Sequence, residues 1–116
     1  MLINKTSSYT SIKPDKLKTG NLNKIIELQA KLVENYANFK KENLILDFSN
    51  EENINLKEIL LFSQKSTEHK KNKKSFVIVC NGIDFDMVNN ELIVVPTFKE
   101  AEDVIEIEEI ERDLGI

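Results

Sequence analysis

The stretch Asn43-Leu-Ile-Leu-Asp-Phe-Ser-Asn50, with Ile54-Asn-Leu-Lys-Glu-Ile-Leu-Leu-Phe62 close behind it, constrains the fold of this chain more than any other. Leu44 to Phe48 is short, branched and apolar without polar alternation, the pattern of a strand buried on both faces. Such strands belong to parallel sheets covered by helices. Asn55 then stands three positions before Glu58, a capping-box spacing with Asn in place of Ser or Thr. Leu56, Ile59, Leu60 and Ser63 follow on one side of the helix it opens. A buried strand leading directly into a capped amphipathic helix is half of an α/β layer.

The rest of the chain repeats that alternation. Leu2 to Thr6 and Tyr9 to Lys13 are short and of mixed polarity around Ser7-Ser8, which predicts an edge hairpin, and Pro14-Asp15 ends its second strand. From Asn21, the apolar residues Leu22, Ile25, Ile26, Leu32, Val33, Tyr36 and Phe39 recur at helical spacing, with Asn21 or Asn23 available as N-cap. The polar segment Thr67 to Lys74 closes the helix begun at Asn55 and leads into a second buried strand, Phe76 to Cys80. Only a short connection separates Gly82 from the third apolar run, Leu92 to Val95, so Ile83 to Val88 can supply one or two helical turns at most. Thr97 and Glu100 form a second capping box behind Pro96. The helix they open carries Ala101, Val104, Ile105, Ile107, Ile110 and Leu114 and stops at Gly115. The expected architecture is an α/β mixed sheet with an N-terminal edge hairpin, parallel central strands and helices packed on the sheet. Its expected core is Leu44, Leu46, Ile59, Leu60, Val77, Val79, Ile93, Val95 and Ile105.

A chain of 116 residues fits one domain, residues 1–116, with a core that needs no disulfide or metal. No apolar run approaches the ~20 residues of a membrane helix, and Met1-Leu-Ile-Asn-Lys5 lacks the pattern of a signal peptide, so the expected location is the cytoplasm. The single Cys80 lies in an apolar strand and reads as a small buried hydrophobe. Charge is unevenly placed. Residues 99–116 hold eight carboxylates against Lys99 and Arg112, a net of −6, and since the whole chain is at −4 the first 98 residues carry +2. An acidic terminal helix repels phosphate backbones, and a single arginine weakens bidentate readout of bases or phosphates. DNA is therefore excluded as a partner and RNA disfavoured.

The order of hairpin, helix, strand, capped helix, strand, short crossover, strand and acidic terminal helix resembles the STAS domains, the family of anti-sigma factor antagonists. In that family the turn at the helix start reads approximately Ile-Asp-Ser-Ser/Thr-Gly-Leu, and its hydroxyl accepts a phosphate. The matching positions here are Ile54-Asn-Leu-Lys-Glu-Ile59. Asn55 stands for the family's aspartate, Leu56 and Lys57 occupy the hydroxyl positions, and Glu58 replaces the glycine. The resemblance implies a regulatory, protein-binding module without its phosphoacceptor. The segment from Val95-Pro-Thr-Phe-Lys-Glu-Ala-Glu-Asp103 through Ile110-Glu-Arg-Asp-Leu-Gly115 also resembles a group of small bacterial proteins that often carry the name ribonuclease Z. A ribonuclease Z holds two zinc ions with several histidines, and this chain has only His69, so that site cannot be assembled here.

Other chemistry is equally hard to build. Asp84 and Asp86 follow a strand end, where α/β sheets place ligands, but two carboxylates do not make a cation site and read as a polar turn. Three glycines, at 20, 82 and 115, cannot form a phosphate-binding loop. His69, among Lys70, Lys71, Lys73 and Lys74, reads as part of a solvated turn and offers no triad. No catalytic residue, cofactor or metal is therefore expected. The expected partner is another protein, bound through Asn53, Asn55, Leu56, Lys57 and Glu58 with Asp84 and Asp86 of the adjoining turn. The alternatives are an accessory factor in RNA processing using the Lys65 to Lys74 cluster, and small-ligand binding at the sheet edge.

Overall fold

In a computed structural model of the chain, residues 1–14, 21–51, 54–88 and 92–115 are described, the side chains of residues 21–23 excepted. Five strands form one sheet in sequential order: β1 (Leu2–Lys5), β2 (Thr10–Lys13), β3 (Leu44–Asp47), β4 (Phe76–Val79) and β5 (Ile93–Val95). β1 pairs antiparallel with β2, Leu2 facing Lys13, which is the expected edge hairpin. Its turn is closed by Thr6, whose hydroxyl accepts from the Ser8 and Tyr9 amides and donates to the Tyr9 carbonyl, a side-chain turn that spares the pair Ser7-Ser8 the need for left-handed backbone. β2, β3, β4 and β5 are parallel neighbours, with Leu44 opposite Phe76 and Val79 opposite Val95.

A sequential strand order with crossovers of constant handedness puts every connection on the same face. That face is covered by α1 (Asn21–Glu34), α2 (Tyr36–Phe39), α3 (Leu56–Leu60) and α4 (Ser63–Lys71), together with a short 3-10 turn at Phe85–Met87. Ile12, Leu44, Leu46, Phe48, Phe76, Ile78 and Cys80 point into it and meet Ile25, Leu28, Leu32, Phe39, Ile59 and Phe62 from the helices. The opposite face belongs to α5 (Phe98–Asp113), whose Ala101 and Ile105 pack on Ile45, Val77 and Val79. Each large apolar side chain so buried contributes about 1.5–3 kcal/mol, so the α1–α4 layer is the main source of stability.

Two helices expected to be continuous are broken. The segment from Asn21 to Phe39 splits at Asn35, whose side-chain amide donates to the Lys31 carbonyl at 2.9 Å and so satisfies one of the last carbonyls of α1. The helix opened by Asn55 stops after one turn and restarts at Ser63, which lets Ile59 and Phe62 both reach the core. Leu60, Ile93 and Val95, expected in the core, are half-buried and line its margin. The Asn21 and Asn23 side chains, and therefore the choice between them as cap, lie outside the described residues.

His69 is the clearest correction. It is fully buried in α4 rather than part of a solvated turn, because the helix runs on past it to Lys71. Its Nε2 lies 2.6 Å from the Glu42 carbonyl, which only accepts, so Nε2 carries the proton; Nδ1 accepts from the Tyr36 hydroxyl at 2.7 Å, and the Tyr36 oxygen accepts from Asn72 at 3.3 Å. Beyond Asn72 the helix ends in a Schellman arrangement, Lys73 amide to Lys70 carbonyl and Lys74 amide to His69 carbonyl. Lys73 sits there at φ +62°, a left-handed position that glycine would ordinarily occupy.

Candidate interaction site

Parallel strands deliver their connecting loops to one end of the sheet, and the C-terminal ends of β3 and β4 lie side by side: the Phe48 amide donates to the Val79 carbonyl at 2.8 Å and the Cys80 amide to the Val95 carbonyl at 2.9 Å. The segment after β3 and the turn after β4 therefore emerge together, and Ile54, Ile59, Ile83 and Val88 anchor both in the same core. The start of α3 and the turn carrying Asp84 and Asp86 therefore both lie at this end of the sheet.

At the helix entrance the capping box is complete. The Glu58 amide donates to Asn55 Oδ1 and the Asn55 amide to Glu58 Oε1, both at 3.0 Å. Asn55 and Lys57 are exposed and Leu56 is half-buried. Glu58 is buried, against its expected place on the contact surface, because the box turns its carboxylate back under the helix start. Its Oε2 has no hydrogen-bond partner. Asn53 lies outside the described residues. Ser49 is held by its amide on Asp47 Oδ1 at 3.0 Å, so the end of β3 is fixed by an aspartate turn. Asp47 also faces Lys13 at 3.7 Å, and Glu51 pairs with the buried Lys24 of α1 at 3.2 Å, which ties the loop down from the other side.

Beyond β4, Gly82 takes φ +84°, a conformation open to glycine, and redirects the chain outward. Asp84 caps the 3-10 turn by accepting from the Asp86 amide at 3.0 Å. Both side chains are exposed, the Asp84 carboxylate being spent on this local turn, and among the described residues no group of three or more His, Cys, Asp or Glu could hold a metal. The turn presents Phe85 and Met87 to solvent, Met87 64% exposed, and Leu61 at the end of α3 is exposed as well. Sequence reasoning included the turn from Gly82 to Val88 in the contact surface but singled out only its two aspartates, and it did not mark Leu61 as outward-facing. The available signal was the run Leu60-Leu61-Phe62: on a helix with one buried face, three consecutive apolar residues leave at least one pointing outward.

Cys80 is fully buried, as expected. Burial, and secondarily the charge of Glu58, push its thiol up to about 11, so it is neither a nucleophile nor a ready thiolate at neutral pH.

The opposite end of the sheet is a closed polar network. Asn43 donates to the Ser8 carbonyl at 3.0 Å and to Glu109 at 2.7 Å, while its Oδ1 accepts from the Ser75 amide at 2.9 Å and from Arg112 at 3.3 Å. Arg112 also reaches Ser75 Oγ and Glu109, so α5 is tied to the N-terminal ends of β3 and β4. Hydrogen bonds from Asn43 and then Arg112 hold the Glu109 carboxyl below its usual range. Burial pushes Glu42 up, but bonds from Thr10 and Lys5 outweigh it and leave that carboxyl lowered. The lysine cluster is partly engaged: Lys65 lies 4.2 Å above the Tyr36 ring and pairs with Glu68, and Lys70, Lys73 and Lys74 share a cleft with Glu108 and Glu111.

No protein-family model matches the sequence, and no curated protein is significantly similar to it. Among the described residues no helix is long and apolar enough to cross a membrane.

Proposed function

We propose that the protein is a non-enzymatic, STAS-like interaction module that binds another protein through the C-terminal end of its parallel strands. The supporting observation is the pair Phe85 and Met87, held outward by an Asp84-capped turn at the same end of the sheet as the capped start of α3. Exposed apolar side chains on a fixed turn, with the exposed polar residues Asp84 and Asp86 in the same turn and Asn55 and Lys57 exposed at the start of α3, have the make-up of a small contact surface with an apolar centre and polar edge. With Leu56 and Lys57 where the resembling family carries its hydroxyls, binding is constitutive or set by the partner rather than by phosphorylation of the helix start. The module acts in the cytoplasm.

RNA processing is the weaker reading, because the lysines it would use are shared with Tyr36, Glu68, Glu108 and Glu111. Small-ligand binding would have to use an open groove of about 470 Å3 beside β1, lined by Leu2, Asn4, Ser11, Lys13, Asp47 and Phe98, which offers one ion pair and little enclosure. Affinity capture with the native protein, followed by calorimetry against the captured partner, tests the reading. Met87→Ser and Lys57→Glu should each weaken the complex about fivefold or more, since one removes an apolar contact and the other reverses a charge. Unchanged affinity for both would overturn it.

A further inference from the structure

Helix α5 is apolar on two sides. Ala101 and Ile105 face the sheet and are buried, yet Ile107, Ile110 and Leu114 are 58%, 53% and 69% exposed. At about 100° per residue these three fall on one stripe diametrically opposite the buried one, with the three-then-four spacing of a helix–helix seam. Single exposed apolar residues are ordinary, but a continuous stripe is not needed by a helix whose task is to close a core.

The surroundings of the stripe are acidic. Glu106 and Asp113 flank it on one side and Glu111 on the other. On the Glu106 side a groove of about 460 Å3 runs between α5 and the β1–β2 turn, walled by Tyr9, Glu102, Glu106, Glu109 and Asp113 with Ile110 at its margin. The two cations of the segment are occupied, Arg112 on the inward network and Lys99 on Asp103 at 2.8 Å. A second copy would bring a net −6 against the same charge, and an anionic bilayer would be repelled as well. From this charge pattern we infer that Ile107, Ile110 and Leu114 are a docking seam for a cationic amphipathic helix of a partner protein. Its apolar residues lie along the stripe and its Lys or Arg side chains reach Glu106 and Asp113, since Glu111 already shares a cleft with Lys70, Lys73 and Lys74. The seam is distinct from the surface at Phe85 and Met87, and either can fail without the other.

The test uses the full chain and a labelled synthetic helix with Leu at heptad a and d positions and Lys at e and g, read by fluorescence anisotropy. A peptide with Glu in place of Lys, and vesicles of phosphatidylcholine with phosphatidylglycerol, serve as competing occupants. The Lys peptide should bind, and Ile110→Ser with Ile107→Ser should weaken it about tenfold or more, as should Glu106→Lys with Asp113→Lys. Met87→Ser should leave it unchanged. All these positions are exposed or at the helix surface, and the charge pair keeps the test valid if the serine pair alters folding. Absence of binding, equal binding of the Glu peptide, binding that neither pair weakens, vesicle binding, or dimerisation through this face would each overturn the inference.

Discussion

The two ends of the sheet solve opposite problems with the same material. At the N-terminal end two sets of hydrogen bonds, one among Asn43, Ser75, Glu109 and Arg112 and the other linking His69 to Tyr36 and the Glu42 carbonyl, leave the amide of Asn43 and both nitrogens of His69 fully partnered. At the C-terminal end, polar groups are spent on local caps, Asn55 with Glu58 and Asp84 with Asp86, and apolar side chains are left facing water. A buried network makes a junction rigid because each member lost strands its partners without water. Capped turns instead hold a surface at a fixed angle while leaving it free to be covered. The contrast separates an end of the sheet held by buried hydrogen bonds from one held by local caps, the latter being the end we propose for partner contact.

The comparison is most easily broken at Asn43. Replacing it by Ala leaves the Ser75 amide without its acceptor and loosens α5 from β3 and β4, and we expect a loss of about 2–3 kcal/mol in urea unfolding. A loss under about 0.5 kcal/mol would mean that the network is not what secures that end. His69 gives the next largest effect. Burial holds its folded form below the ordinary value of 6.5, opposed in part by its bond to Glu42 and assisted by Lys74, so the unfolded chain binds the extra proton first. Stability is therefore complete above about pH 6.5 and falls as pH drops from there toward the lower folded value, with a slope of up to about 1.4 kcal/mol per pH unit. His69 is the sole histidine, and Glu42 and Glu109, both lowered, act only below their ordinary 4.5. Chemical melts from about pH 7.5 to about pH 5.5 should show the slope in the native chain and lose it in His69→Gln.

A smaller change of opposite sign is expected at Lys73. Glycine there removes the strain of a left-handed non-glycine residue in the Schellman turn, and Lys73→Gly should raise stability by about 0.5–1 kcal/mol, read as a higher melting temperature. The smallest effects belong to the C-terminal end. Lys57→Glu and Met87→Ser should each shift unfolding by about 0.5 kcal/mol or less while weakening partner binding, since exposed side chains carry little of the fold. Large destabilisation by either would place these residues in the structure's support and would erase the distinction between the two ends.

Much of this was open to sequence reasoning because it depends on neighbours along the chain. The apolar runs at Leu44, Phe76 and Leu92, the capping pairs Asn55 with Glu58 and Thr97 with Glu100, the edge hairpin and the stop at Gly115 are local patterns, and they specify an α/β sheet with parallel central strands. What only the tertiary structure decided depends on residues far apart in the chain. His69 looked solvated beside four lysines until Glu42 and Tyr36, each some thirty positions away, were brought to its two nitrogens. Glu58 looked like a surface contact until the helix start closed over its carboxylate. Ile107, Ile110 and Leu114 were legible as helical but not as outward, because periodicity reports that residues share a stripe, whereas only the packing of α5 against Ile45, Val77 and Val79 determines which stripe the sheet takes and which is left to water.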